Sequence, residues 1–313
     1  MTWGEIITLS RRRLQETTEK FFGTDILKQY GIEAQREVAR RVPRMFDVTR
    51  TFSTVATQAD YTLAAYPGPD VHELRLLSTP SYPQGLVNVS EENFIRPIQS
   101  GTPALWAQRG LTVVLHPTPS AIAVVTTFGG RLPPRYALSI IHDGGASATA
   151  ATVAIASNSM SLVITGGTNA GTTTYSLTAA AYDTLAELAA VINALAIGWT
   201  ATVSGDVRGA EASSLLEALA TTSCFQTTLN LYENPEVWPM FHENLKEYIC
   251  YLAWLESGED NFARPHVEKW EQAIQSMKDR VDTAVKGRVN RQITNAYDGG
   301  GRGNSVYRSI TNL

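Results

Sequence analysis

Residue types that carry chemistry are scarce in this chain. Its 313 residues include two cysteines, Cys224 and Cys250, and five histidines. His72, His116, His142, His242 and His266 do not fall at metal-ligand spacing and no cysteine joins them, which argues against a metal site. There is no Gly-Lys-Ser/Thr phosphate loop. Gly166, Gly167 and Gly171 open no helix, so a dinucleotide fingerprint is missing too. The glycines at 299–301 and 303 follow a helix, the wrong end for anion binding. Ser159, Ser161 and Ser204 have no nucleophile motif around them. His142 and Asp143 read as a polar turn rather than a base with its orienting acid. The expectation is a protein that is not an enzyme and takes no cofactor and no metal.

Two further absences narrow the class. No apolar run approaches the roughly 20 residues that span a bilayer. Residues 1–13 are polar and basic, unlike a secretory signal, so both cysteines are expected to be reduced thiols. The net charge of −4 gives no bulk electrostatic case for nucleic-acid binding.

What is present is divided by a break in composition. Residues 139–228 are dominated by Ala, Thr, Ser and Gly, with no Lys and a single Arg, Arg208. Ordinary mixed, charged sequence lies on both sides. This is the signature of a domain inserted into a loop of another. The expected organisation is a host of residues 1–138 and 229–294, an inserted domain of residues 139–228, and a flexible arm from Asn295 to Leu313. The insert is expected to fold alone and to be removable.

The host reads as helices around a β section. Trp3, Ile7, Ser10, Leu14, Thr17 and Phe21 recur at spacings of four and three, predicting one helix that Gly23 ends. Thr24 is placed to cap a second, with Ile26, Leu27, Tyr30, Ala34, Val38 and Val42 inside and Arg36, Glu37, Arg40 and Arg41 outside. Pro43 stops it. Alternating segments at 49–55, 60–65, 71–78, 86–89, 103–107, 111–116 and 121–128 predict a small antiparallel sheet or sandwich. Asn234 and Pro235 read as a helix start. Phe241, Leu245, Tyr248, Ile249, Leu252 and Leu255 form one face, and Gly258 breaks the helix. Val267, Trp270, Ile274, Met277, Val281 and Ala284 make a short near-heptad seam, too brief for an independent coiled coil. Trp270 and Ile274 should therefore bury against Leu245, Ile249 and Leu252.

The insert reads as α+β: strands at 152–155, 160–165, 172–177 and 199–203, a helix at 184–195 and a second short helix at 210–220. On VITGG, YSLT and TLAELAAVINA it loosely resembles small β-β-α-β insertions of flagellar and phage structural proteins. The fold class is thus α+β: two N-terminal and two C-terminal helices in a bundle, an antiparallel β section, and an inserted α+β domain.

The order of elements resembles the head-to-tail adaptor, or connector, proteins of tailed bacteriophages. The likeness rests on ILKQYGIEAQREVARRVP (26–43), DYTL (60–63), HELRLL (72–77), PMFHENLKEYICYLAWLES (239–257) and residues 270–277. It covers about two-thirds of the chain. The proline expected after Leu63 is missing, and the insert lies outside the family pattern. The resemblance implies a virion structural protein of the neck, assembled in the host cytoplasm. It implies a ring, a dodecamer, below the portal protein and against a tail or nozzle protein, with double-stranded DNA passing through the lumen without sequence-specific binding. No membrane is involved. Such families commonly use the C-terminal arm to attach the portal, which nominates Val306, Tyr307, Ile310 and Leu313 as anchors. Arg36, Arg40, Arg41 and Arg44, interleaved with acids, are a candidate subunit interface. The competing readings are another neck or tail subunit, or a surface- or carbohydrate-binding protein that works through Trp199, Tyr175 and Tyr182 of the insert.

Overall fold

The computed structural model describes residues 1–16, 21–63, 70–89, 99–207 and 209–297, with backbone alone at residue 72 and residues 285–297. It is an α+β protein with several antiparallel sheets. Helix α1 (Trp3–Arg13) starts at a capping box, in which the Thr2 hydroxyl accepts from the Glu5 N–H and the Glu5 carboxylate accepts from the Thr2 N–H. It stops well before Gly23. Gln15 turns to a positive φ of 56°, and the Glu16 carboxylate folds back to take the N–H groups of Phe21 and Phe22. The buried stripe therefore ends at Leu14, and Phe21, expected inside, is 85% exposed.

Helix α2 (Thr24–Arg41) begins on Gly23 without a side-chain cap. The Thr24 hydroxyl accepts from Arg11 instead (3.1 Å). Leu27, Ala34, Val38 and Val42 are buried as the spacing requires, whereas Ile26 is exposed. Arg36, expected on the outer face, is buried: its guanidinium donates to the Pro133 carbonyl at 2.6 Å and lies 3.8 Å from Asp206. A helix packed against several neighbours has no free face at that position.

The β section follows. Strands β1 (Asp47–Ser53), β2 (Asp60–Thr62), β3 (Val71–Ser78), β4 (Val87–Asn88), β5 (Ser100–Gly101), β6 (Leu105–Arg109), β7 (Thr112–His116), β8 (Thr118–Pro119) and β9 (Val124–Arg131) lie close to the alternating segments. One sheet has the order β1-β9-β3 and another β2-β7-β6-β4. Phe52, Leu74, Leu77 and Val125 from the first share a core with Tyr61, Trp106, Val113 and Leu115 from the second. The buried Tyr61 hydroxyl is satisfied locally, donating to the Gln58 carbonyl (2.9 Å) and accepting from the Val55 N–H (3.0 Å).

The next segment runs through β10 (Leu138–His142), β11 (Ala150–Ala156), β12 (Ser159–Thr165), β13 (Gly171–Ser176), α3 (Leu185–Ala194), β14 (Trp199–Val203), β15 (Leu219–Ser223) and β16 (Leu229–Leu231). Strand β10 is central in the order β14-β10-β16, so the incoming and outgoing strands pair directly, Leu138 opposite Leu231. A four-stranded sheet, β13-β12-β11-β15, completes the segment, and a buried cluster reaching from Ala137 to Leu231 fills it. Thr184 and Glu187 form the capping box of α3. Residues 210–220 do not make a helix. Ser213 spends its hydroxyl on the carbonyls of Leu177 and Tyr182, only a 3-10 turn (Ser213–Leu215) forms, and the Thr-rich text after it joins the sheet as β15.

Helix α4 (His242–Glu256) starts later than Asn234, whose side-chain amide donates to the Leu215 carbonyl. A 3-10 turn at Pro239–Phe241 leads into it. Gly258, at φ 76°, turns the chain into α5 (Asp260–Tyr297). Trp270 and Ile274 are each 1% exposed and share a core with Leu245 and Ile249, with the Tyr248 ring 4.8 Å from Trp270. The same core takes Trp3, Ile6, Leu27 and Val38 from α1 and α2.

Candidate docking surfaces and the junction between them

Where β9 ends, the chain places one cation among four acids. The Arg131 guanidinium is 2.8 Å from Glu211, 2.8 Å from Glu233, 3.4 Å from Glu236 and 3.5 Å from Asp70. Arg50 of β1 reaches Asp70 and Glu211, both at 3.0 Å. Asp70 precedes β3, Glu211 comes from the Ala/Thr-rich segment, and Glu233 and Glu236 lead toward α4. Three parts of the chain thus meet on two arginines. Burial works to lower the Arg131 pKa, but Glu236, Glu233, Glu211 and Asp70 outweigh it and raise it. Burial pushes Glu236 up to about 7, with Arg131 opposing and the neighbouring acids reinforcing. Glu233 shifts up for the same reason.

A second set of contacts ties the middle segment to the helices. The Glu217 carboxylate accepts from the Trp3 N–H at 2.8 Å and pairs with Lys28. The Trp3 indole donates to the Glu233 carbonyl (2.9 Å). Gly31 lets α2 approach this ring: a Cβ there would lie 2.5 Å from it. None of Arg131, Glu211, Glu217 or Trp3's polar role was marked by the sequence. The available signal was the charge imbalance of residues 139–228, where Glu211 and Glu217 are two of six acids against a single cation, Arg208.

Arg40 and Arg41 are engaged within the chain, Arg40 with Glu33 (2.8 Å) and Glu37 (3.4 Å), Arg41 in a fork on Glu271. Those bonds raise both guanidinium pKa values against the effect of burial. Arg44 is exposed and lines a shallow groove with Arg41, Val42, Pro43, Lys278, Val281 and Asp282. Arg36 is not with them, being buried under Pro133. Val306, Tyr307, Ile310 and Leu313 lie outside the described residues.

The aromatic residues of the middle segment do not form an exposed platform. Trp199 and Tyr175 are buried, and Tyr182 is half-buried edge-on to Tyr175. His142 packs against Trp199; its ring nitrogens are taken by the Ile197 carbonyl (3.0 Å) and the Gly144 N–H (3.1 Å), a structural role. Both cysteines are free and buried, which pushes the thiols up to about 11 for Cys224 and about 12 for Cys250. Such thiols are weak nucleophiles. Among the described residues no group of three or more His, Cys, Asp or Glu is placed to hold a metal, and no helix is long and apolar enough to cross a membrane.

No curated protein matches the chain. Residues 1–151, which run from α1 into β11, match the model of a family described as SU10 adaptor protein.

Proposed function

We propose that this chain is a head-to-tail adaptor that forms a ring below the portal, extends the DNA channel and seats the tail. The observation that carries the reading is the family match over residues 1–151. It is supported by the common core: α4 and α5, beyond the matched region, complete the packing of α1 and α2. In this reading the ring is a dodecamer, assembled in the host cytoplasm, with portal protein on one side and a tail or nozzle protein on the other. DNA slides through a lumen that a chain of net charge −4 does not make strongly adhesive. Residues 139–228 are an accessory module, held by Glu211 and Glu217 rather than by a tether alone.

The arm attaches the portal. Ordering it costs about 1–2 kcal/mol per residue in backbone entropy, so Val306, Tyr307, Ile310 and Leu313 must fill partner pockets to offset that. Arg40, Arg41 and Arg44 contribute to the contact between subunits, Arg44 most because its side chain is the most exposed of the groove's arginines. The test is pull-down by a portal ring. Full-length chain should bind, and a chain ending at Tyr297 should keep its melting temperature but lose attachment. Binding by the shortened chain would remove the arm from the account, and no binding by either would overturn the adaptor reading.

A further inference from the structure

The outer strands of a sheet present unpaired N–H and C=O groups that another strand can take, so proteins blunt them. Among the described residues all but one of these edges are blunted. Strands β2, β4, β5, β8 and β16 are only two or three residues long. β3 shifts register twice against β9, and its Leu77 carbonyl is taken by the Leu86 N–H. β15 is bulged between Val153 and Ile155 of its partner. β14 is clamped by Asn193, whose side-chain amide accepts from the Ala201 N–H (2.7 Å) and donates to the Ala201 carbonyl (2.9 Å). β1 carries the charges of Asp47 and Arg50.

β13 is the exception. Its six residues, GTTTYS, include no proline and no charge, and they pair with β12 without a register shift. The Leu177 N–H donates to the Asn158 carbonyl (2.7 Å), which fixes the alternation along the strand. Gly171, Thr173 and Tyr175 turn their backbone groups to β12, and Thr172 and Thr174 turn theirs away from it. Gly171, Thr172 and Thr174 are exposed, and a Cβ on Gly171 would meet nothing within 4 Å. Threonine and tyrosine suit a strand, so this edge is held extended and straight. Charge is missing from the whole sheet: β11, β12, β13 and β15 contain no Asp, Glu, Lys or Arg, although residues 139–228 have six acids against one cation. Nothing on this edge repels a copy of itself.

We propose that β13 pairs with β13 of a second copy of this chain, antiparallel about a two-fold axis at Thr173, joining two four-stranded sheets into one of eight strands. Thr172 of each copy then faces Thr174 of the other, and these two pairs exchange four backbone hydrogen bonds. Their side chains meet as uncharged threonine pairs on the exposed face of the sheet. Ser176 stays outside the contact, because its carbonyl already accepts from the Ala179 N–H. The occupant is a second copy because the edge complements itself in length, hydrogen bonding and charge. Such an isologous contact uses one patch twice and closes at two copies. It is therefore additional to any contact around a ring and does not rest on the adaptor reading.

The test uses the full chain alone, with no portal present. In sedimentation velocity the unaltered chain should dimerise as its concentration rises. Thr172→Lys with Thr174→Lys puts like charges opposite each other and should weaken dimerisation about tenfold or more. Both positions are exposed, so the fold should survive, and circular dichroism checks it. Ser161→Lys, one strand inward on the same face, should leave dimerisation unchanged; a loss there would mean that sheet faces stack, and would overturn the edge contact. Thr173→Cys reads the register. Directly opposed residues lie about 4.5 Å apart at Cα, within disulfide reach, so mild oxidation should give a covalent dimer. The unaltered chain, whose two cysteines are buried, should not form one. An unaltered chain that stays monomeric at high concentration, a double-lysine variant that dimerises as well, or a Thr173→Cys chain that does not cross-link would each overturn the proposal. None of these outcomes bears on portal binding, so failure here is distinct from failure of the adaptor reading.

Discussion

Replacing Arg131 with Met is the sharpest test of how the three parts of the chain are held together. The substitution keeps an apolar stem of similar reach and removes the charge. It leaves Asp70, Glu211, Glu233 and Glu236 with Arg50 alone, and Arg50 touches only the first two. Arg131 and Glu233 are among the most buried members, with side chains 10% and 6% exposed. Removing one partner of a buried ion pair costs about 3–5 kcal/mol, because the other charge stays desolvated. That range is a large fraction of the stability of an ordinary domain. The loss should depend on pH. Glu233 and Glu236 have raised folded pKa values, so the folded state binds their protons more tightly than the unfolded state does. Their contribution to stability therefore grows as pH falls from about 7 toward the ordinary carboxylate range, and above about 7 the penalty of burying them charged is at its full value and no longer changes. Without Arg131 both shifts increase, and the deficit should narrow as these acids take up protons. Urea denaturation of both proteins at pH 8 and pH 5.5 measures this; the difference between them cancels titrations elsewhere. A loss below about 1 kcal/mol, or a deficit that does not change with pH, would refute the reasoning.

Other outcomes follow from the packing. Trp270→Ala empties a site 1% exposed in the helical core and should cost about 3–5 kcal/mol by chemical denaturation; a change below about 1 kcal/mol would place the indole outside it. Gly31→Ala improves helix propensity yet drives a methyl into the Trp3 ring, whose N–H is held by the Glu233 carbonyl, so a net loss of about 1–3 kcal/mol is expected, and a stabilised variant would contradict the close approach. Excising residues 138–231 and joining the ends with a short Gly/Ser linker should preserve helical circular dichroism and cooperative melting. The midpoint should drop because Glu211 and Glu217 go with the segment; loss of both signals would make the segment part of the host core.

Local patterns were legible in the sequence where the physics is local. The Trp3, Ile7, Leu14 stripe, the Trp270, Ile274, Met277 seam, the alternating β segments and the Thr184 helix start all depend on spacing within one element. The failures share a cause in distant partners. The first helix stops early because Glu16 captures the chain at Phe21 and Phe22. Residues 210–220 have helical composition, but Ser213 and the strand partners of β15 decide their conformation. Arg36 reads as a surface cation until Pro133, 97 positions away, covers it. The junction was invisible for the same reason: Arg131 meets Glu211 and Glu233 across 80 and 102 positions. The compositional break begins at 139 and ends at 228, whereas the buried cluster runs from Ala137 to Leu231, because the flanking strands β10 and β16 pair with each other. Those flanks carry Leu and Ile, so composition alone does not assign them to the Ala/Thr-rich segment.

The central claim is that this chain sits between portal and tail as a ring. Electron cryo-microscopy of the chain mixed with the portal ring of the same virion tests it most directly. The account predicts a twelve-subunit ring seated on the portal's tail-facing end, with the Ala/Thr-rich segment as a fixed lobe on each subunit. A portal that stays bare, or chain that binds as single copies without forming a ring, would contradict it.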